Sequence, residues 1–122
     1  MTRFPPALAK KIDAIKYFRI RAGEDHRFIA IWVVVVDGRV FVRPWNDKAG
    51  GWYREFLDSG IGAIEVDGKE IPVRASPAKA AALNRSVDAA YAAKYTTKPN
   101  RKYVEGFATD SRRATTLELV PR

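Results

Sequence analysis

The stretch from Val40 to Phe56, VFVRPWNDKAGGWYREF, concentrates three cations (Arg43, Lys48, Arg54), three flat aromatic faces (Trp45, Trp52, Tyr53) and the pair Gly50 and Gly51. A glycine pair reaches backbone conformations closed to other residues, and this one precedes a short helix whose first N–H groups have no partners within it. Such an end attracts an anion, phosphate above all. Dipole and free N–H groups supply only about 0.3 to 1 kcal/mol at an exposed terminus. A useful phosphate site therefore needs at least one arginine making paired hydrogen bonds. The candidate site comprises Arg43, Trp45, Asn46, Lys48, Gly50, Gly51, Trp52 and Arg54, with a phosphate-bearing ring compound as its ligand. The plainer alternative makes Trp52 and Phe56 core anchors and the glycines turn residues. The stretch is neither a P-loop nor a GxGxxG, so spacing alone names no nucleotide family.

Little else in the chain could do chemistry. There is no cysteine, which removes thiol nucleophiles, disulfides and thiolate metal sites, and His26 is the single histidine, so a His-rich zinc site is excluded. His26 lies between Asp25 and Arg27 in a turn; if it acts at all, its role is that of a proton donor to a bound ligand. No carboxylate pair is spaced as a hydrolytic acid and base, and no metal is expected.

The elements that must position these residues follow from periodicity. Pro5 and Pro6 suit a first helical turn, and Leu8, Ile12 and Ile15 recur at helical spacing behind them. Tyr17 to Ala22 alternates as a strand, and FIAIWVVVV reads as a second strand buried on both faces. Asp37-Gly38 is a hairpin signal that returns Arg39 to Arg43 antiparallel to it. A helix over Trp52 to Leu57 precedes a second hairpin, Gly62 to Val66 and Lys69 to Ala75, turning at Asp67-Gly68. Ser76-Pro77 then caps the longest helix, with Leu83, Val87, Ala90 and Tyr91 on one stripe. A short helical piece spans Arg101 to Phe107, and ATTLELV closes the chain as a strand. Six strands joined largely by hairpins predict an α+β, mainly β fold: a small six-stranded antiparallel split β-barrel flanked by helices.

At 122 residues, 47% hydrophobic and 30% charged, the chain is expected to be one domain over residues 1–122, with no membrane span and no secretory signal, hence cytoplasmic. Its 22 basic against 14 acidic side chains give a net charge of +8, which favours anionic partners. From Tyr91 to Val104 there is no acid, whereas Lys94, Lys98, Arg101 and Lys102 lie there beside Tyr95 and Tyr103.

IWVVVVDGRVFVRPWN, GGWYREF, AAYAAKY and RRATTLELVPR together resemble, over nearly the whole chain, a family of small bacterial proteins known as a domain of unknown function. More distantly, the strand, Gly-rich turn, Trp-Tyr-Arg helix and following hairpin are similar to the FMN-binding split β-barrel of flavin- and deazaflavin-dependent oxidoreductases. That resemblance implies FMN or a deazaflavin held near Arg43, Lys48, Gly51, Trp52 and Arg54, hydride transfer to a small acceptor, and a homodimer. Where the deazaflavin-dependent relatives carry a Gly-Ser-Gly type turn, this chain has Ala22 to Arg27, AGEDHR. Two alternatives stand beside it: a nucleic-acid-binding barrel that stacks bases on Trp45, Tyr95 and Tyr103, and a ligand-binding barrel without chemistry. On the cofactor reading, Arg43→Ala is expected to weaken FMN binding roughly 30-fold or more and Lys102→Ala scarcely at all.

Overall fold

The computed structural model describes residues 3–16, 18–45 and 51–122. Seven strands form one antiparallel sheet: β1 (Phe18–Ala22), β2 (Ile29–Ile31), β3 (Val34–Val36), β4 (Arg39–Val42), β5 (Ile61–Val66), β6 (Lys69–Pro77) and β7 (Leu117–Pro121), in the spatial order β2-β1-β5-β6-β7-β4-β3. The helices are α1 (Pro6–Ala14), α2 (Trp52–Ser59), α3 (Ala81–Lys94), α4 (Arg101–Phe107) and α5 (Asp110–Arg113), with a 3₁₀ turn at Lys98–Asn100 before α4.

The strand order explains the shape. β2 and β3 are the two opposite edges of the sheet, yet only Trp32 and Val33 separate them along the chain. A flat seven-stranded sheet would set its edges about six spacings of ~4.8 Å apart, far beyond the span of two residues, so the sheet curls into a half-barrel. The run FIAIWVVVV is thus one extended segment serving both edges: Phe18 pairs with Ile31 on one side and Val34 with Phe41 on the other. This is why seven strands stand where six were expected, and why Ile29, Ile31, Val35 and Val36 are only half-buried. Edge strands have a neighbour on one side alone.

The hairpin signals hold. Asp37 and Gly38, and again Asp67 and Gly68, all take positive φ (52°, 76°, 53° and 76°), the geometry of a type I′ turn. α2 stops at Gly60, whose φ of 71° places it in the left-handed region that glycine tolerates. The start of α3 differs from the sequence expectation. Ser76 and Pro77 stay in β6, paired with Glu118 and Leu117 of β7, and the helix begins only at Ala81 with no side-chain cap. Ladder pairing to β7 outweighs the local Ser-Pro signal, and a proline is tolerated at a strand end.

Alternation along β3 and β4 sends side chains to two cores. Val33, Val40 and Val42 join Phe18, Ile20, Ile64, Leu117 and Leu119 inside the half-barrel, which α1 and α2 close through Ile12, Tyr53 and Phe56. Val34 and Phe41 face outward to a second cluster with Val87, Tyr91, Tyr95 and Phe107 of α3 and α4. Among the described residues no helix is long and apolar enough to cross a membrane.

Candidate functional site, an aromatic cleft at the break in the edge strand

At the break, the ladder of backbone hydrogen bonds is replaced by side chains from the end of α3. The Val33 amide donates to the Tyr95 hydroxyl at 3.0 Å, and the Val33 carbonyl accepts from Lys94 Nζ at 2.7 Å. The Tyr95 hydroxyl in turn donates to the Lys16 carbonyl at 2.5 Å. Trp32 lies flat on the Tyr95 ring, centroids 3.9 Å apart and planes 5° from parallel.

Trp32 so held forms one wall of an open cleft of about 520 Å³, lined by Ile29, Ala30 and Ile31 of the β2 edge, by Trp45 and Trp52, and by Asn100, Tyr103 and Phe107. All three tryptophans of the chain converge here. The outer rim is exposed: Trp45 is 42% and Tyr103 39% accessible, and their rings meet edge to face at 5.2 Å. Trp45 sits against the backbone of Gly106, where an added Cβ would fall 2.5 Å from the indole Cη2. Arg112 caps its face at 3.8 Å and donates to the carbonyls of Trp45 and Gly106. Lys102 lies 5.1 Å from the centre of the Tyr103 ring.

Arg43 borders the cleft, but its guanidinium is wholly buried behind it. Nε donates to Thr116 Oγ1 at 2.7 Å, Nη1 to Asp88 Oδ1 at 2.5 Å and to the Phe107 carbonyl at 2.8 Å, and Nη2 to the carbonyl and Oδ1 of Asn84. An arginine has five N–H donors, and here each has an acceptor. Asp88 also accepts from Arg113 Nε at 2.7 Å, so one carboxylate balances two cations. The network ties the end of β4 to α3, the end of α4 and the entry to β7. Tyr91 completes it, its hydroxyl accepting from the Arg43 amide; burial pushes this phenol well above the ordinary tyrosine range. An anion could reach Arg43 only by displacing protein acceptors.

Of the other residues named from sequence, Trp45 and Trp52 meet in the cleft, Trp52 packing edge-on against Phe56. Gly51 precedes α2 with φ −78°, a conformation open to any residue, and Arg54 is exposed on α2. Asn46, Lys48 and Gly50 lie outside the described residues. His26 is half-exposed, 3.7 Å from the Glu55 carboxylate on α2. Among the described residues no three His, Asp, Glu or Cys side chains are grouped to hold a metal ion. Sequence reasoning passed over Trp32, Phe107 and Asn100 as lining. The available signal for Arg43 was on α3, where polar Asn84 and Asp88 recur on the same stripe as Val87 and Tyr91 and so demand a buried partner.

Burial draws the Lys94 ammonium down to about 8, against a smaller opposing pull from Asp13. At neutral pH it still donates to the Val33 carbonyl and, at 3.4 Å, to that of Ile12, joining α1 to the strand break.

In the solved structures, the crystal structure of the conserved hypothetical protein Rv2991 from Mycobacterium tuberculosis is similar at a TM-score of 0.58, with 15% identity over 99% of this chain and 82% of that one. At that identity the likeness shows the fold alone. No curated protein matches the sequence. The family model described as "Uncharacterized protein conserved in bacteria (DUF2255)" matches residues 8–119, and the chain therefore belongs to that family.

Proposed function

We propose that the protein binds a planar ring compound of the flavin or deazaflavin kind, such as FMN, in the aromatic cleft. The observation that supports this reading is the convergence of all three tryptophans, with Tyr103 and Phe107, on one open cleft beside an edge strand. A volume near 520 Å³ lies within the usual range for small-molecule sites. The aromatic walls offer stacking faces, while an edge strand turns every other set of backbone N–H and C=O groups away from its neighbour, which suits the hydrogen-bonding edge of a heteroaromatic ring. The ring part of such a group therefore fits the residues present. A bound flavin or deazaflavin would supply hydride transfer to a small acceptor, making the protein an oxidoreductase. The chain's own residues would hold the ring flat and exclude water from one of its faces.

The reading includes a homodimer. The exposed face of α3 carries Ala82, Ala89, Ala92 and Ala93, small enough for two helices to approach closely. Light scattering that gives a 13.7 kDa particle at high concentration would remove this part.

The deciding experiment is the absorbance spectrum of the purified protein, followed by titration of its tryptophan fluorescence with FMN and with a deazaflavin. Saturable quenching with either supports the reading. Fluorescence unchanged by both, with tight binding of single-stranded oligothymidylate instead, would favour base stacking on Trp45 and Tyr103.

A further inference from the structure

The anionic end of the ligand has a different receiver from the one the sequence suggests. Resting on the ring-binding reading, we infer that the cleft selects the phosphate-bearing form of its ring ligand, and that Lys102 and Arg112 at its rim, not Arg43, receive the phosphate.

Arg43 is wholly buried and its donors are spent on Thr116, Asp88, Phe107 and Asn84. The rim is built differently. Trp45 and Tyr103 are its two exposed rings, and each carries a cation: Arg112 stacked on the indole and Lys102 over the phenol. Arg112 is fixed through Nε and Nη1 to two backbone carbonyls, and its Nη2 has no acceptor among the described residues. A guanidinium oriented in this way loses little freedom on meeting an anion. Lys102 is exposed, forms no ion pair among the described residues, and belongs to a segment with no acid from Tyr91 to Val104. A ring seated between the tryptophans would carry its phosphate tail out past this rim, where water remains to hydrate a dianion and two cations stand ready.

Riboflavin and FMN share a ring and differ in the phosphate, so the pair isolates the inference. Tryptophan quenching should give FMN an affinity about tenfold above that of riboflavin at low salt, the advantage shrinking as salt rises. Lys102→Ala and Arg112→Gln should each bring the FMN-to-riboflavin ratio toward one. Arg43→Lys, whatever it costs in stability, should leave the ratio near that of the parent. Circular dichroism of each variant confirms that the ratios are measured on folded protein. Equal wild-type affinities for the two compounds would overturn the inference while leaving the ring-binding reading intact. Failure of both compounds to bind would remove the reading and the inference together. A ratio lost in Arg43→Lys and kept in Lys102→Ala and Arg112→Gln would return the phosphate to Arg43.

Discussion

The Tyr95 hydroxyl stands where a neighbouring strand's carbonyl would be, accepting the Val33 amide at 3.0 Å at the point where the edge strand crosses from one side of the half-barrel to the other. Val33 is fully buried, so no water can take over this bond. Tyr95→Phe keeps the ring on which Trp32 stacks and deletes only the hydroxyl. The buried amide and the Lys16 carbonyl then lose a partner, a loss of about 1 to 3 kcal/mol. The urea midpoint should fall at constant slope. An unchanged midpoint would mean that the break is held by something other than this bond.

Asp88 sets a second test, because it is the only carboxylate on the buried Arg43 guanidinium among the described residues. Asp88→Asn leaves a cation enclosed without its countercharge and leaves Arg113 with Asp110 alone. The cost expected for breaking a buried pair is about 3 to 5 kcal/mol. Thermal unfolding checks it. A loss below about 1 kcal/mol would show that the carbonyls of Asn84 and Phe107 suffice to neutralise the site.

Lys94 predicts a pH dependence. Its amine titrates near 8 in the folded protein against an ordinary 10.5, because burial opposes the charged form. Between those values the unfolded chain binds more protons, so stability rises with pH from about 8 to 10.5. The side chain is only half-buried, and solvent screening brings the gain to about 1 to 2 kcal/mol. Lys94→Met should abolish that part of the slope while other lysines titrate as before. Parallel pH profiles for parent and variant across this window would refute the assignment.

How much of this was legible beforehand depends on which forces are local. The Asp-Gly turns, the helix α2, and α4 from Arg101 to Phe107 are readable because turn chemistry and periodicity act over a few residues. The division of Ile29–Val36 was not. Eight apolar residues read as one central strand, and only the placement of Tyr95 and Lys94, some 60 residues further on, supplies the groups that let the ladder break at Trp32 and Val33. The same distance hid the fate of Arg43. Alternation along β4 puts Arg43 on the face of Phe41, but the ring its guanidinium lies over is that of Tyr91 on α3, 5.7 Å away. That α3 would bring Asn84 and Asp88 to consume its donors is a tertiary fact. Trp45 and Tyr103, in contrast, lie in different elements and only the nucleic-acid alternative groups them; the structure puts them 5.2 Å apart.

Gly106 offers a way to disturb the cleft without weakening the fold. Mid-helix glycine is worse than alanine by roughly 0.5 to 1 kcal/mol; Gly106 lies in the last turn of α4, where part of that difference remains, so Gly106→Ala should not weaken the helix itself. The new methyl, however, would fall 2.5 Å from Trp45 Cη2 and 2.8 Å from Cζ3, inside any allowed contact. Trp45 is exposed and lies past the end of β4, outside any helix or strand, so the indole can swing away instead of straining the helix. Doing so parts it from Tyr103 and from Arg112, whose guanidinium now lies on its face. The expected result is a splitting of two quantities that usually move together. The thermal midpoint should hold or rise, while tryptophan fluorescence shifts toward that of a fully exposed indole and FMN affinity drops several-fold. If the midpoint holds and affinity is untouched, Trp45 is not part of the binding surface. Loss of both would instead mean that the indole cannot move and that its contact with Gly106 is part of the core.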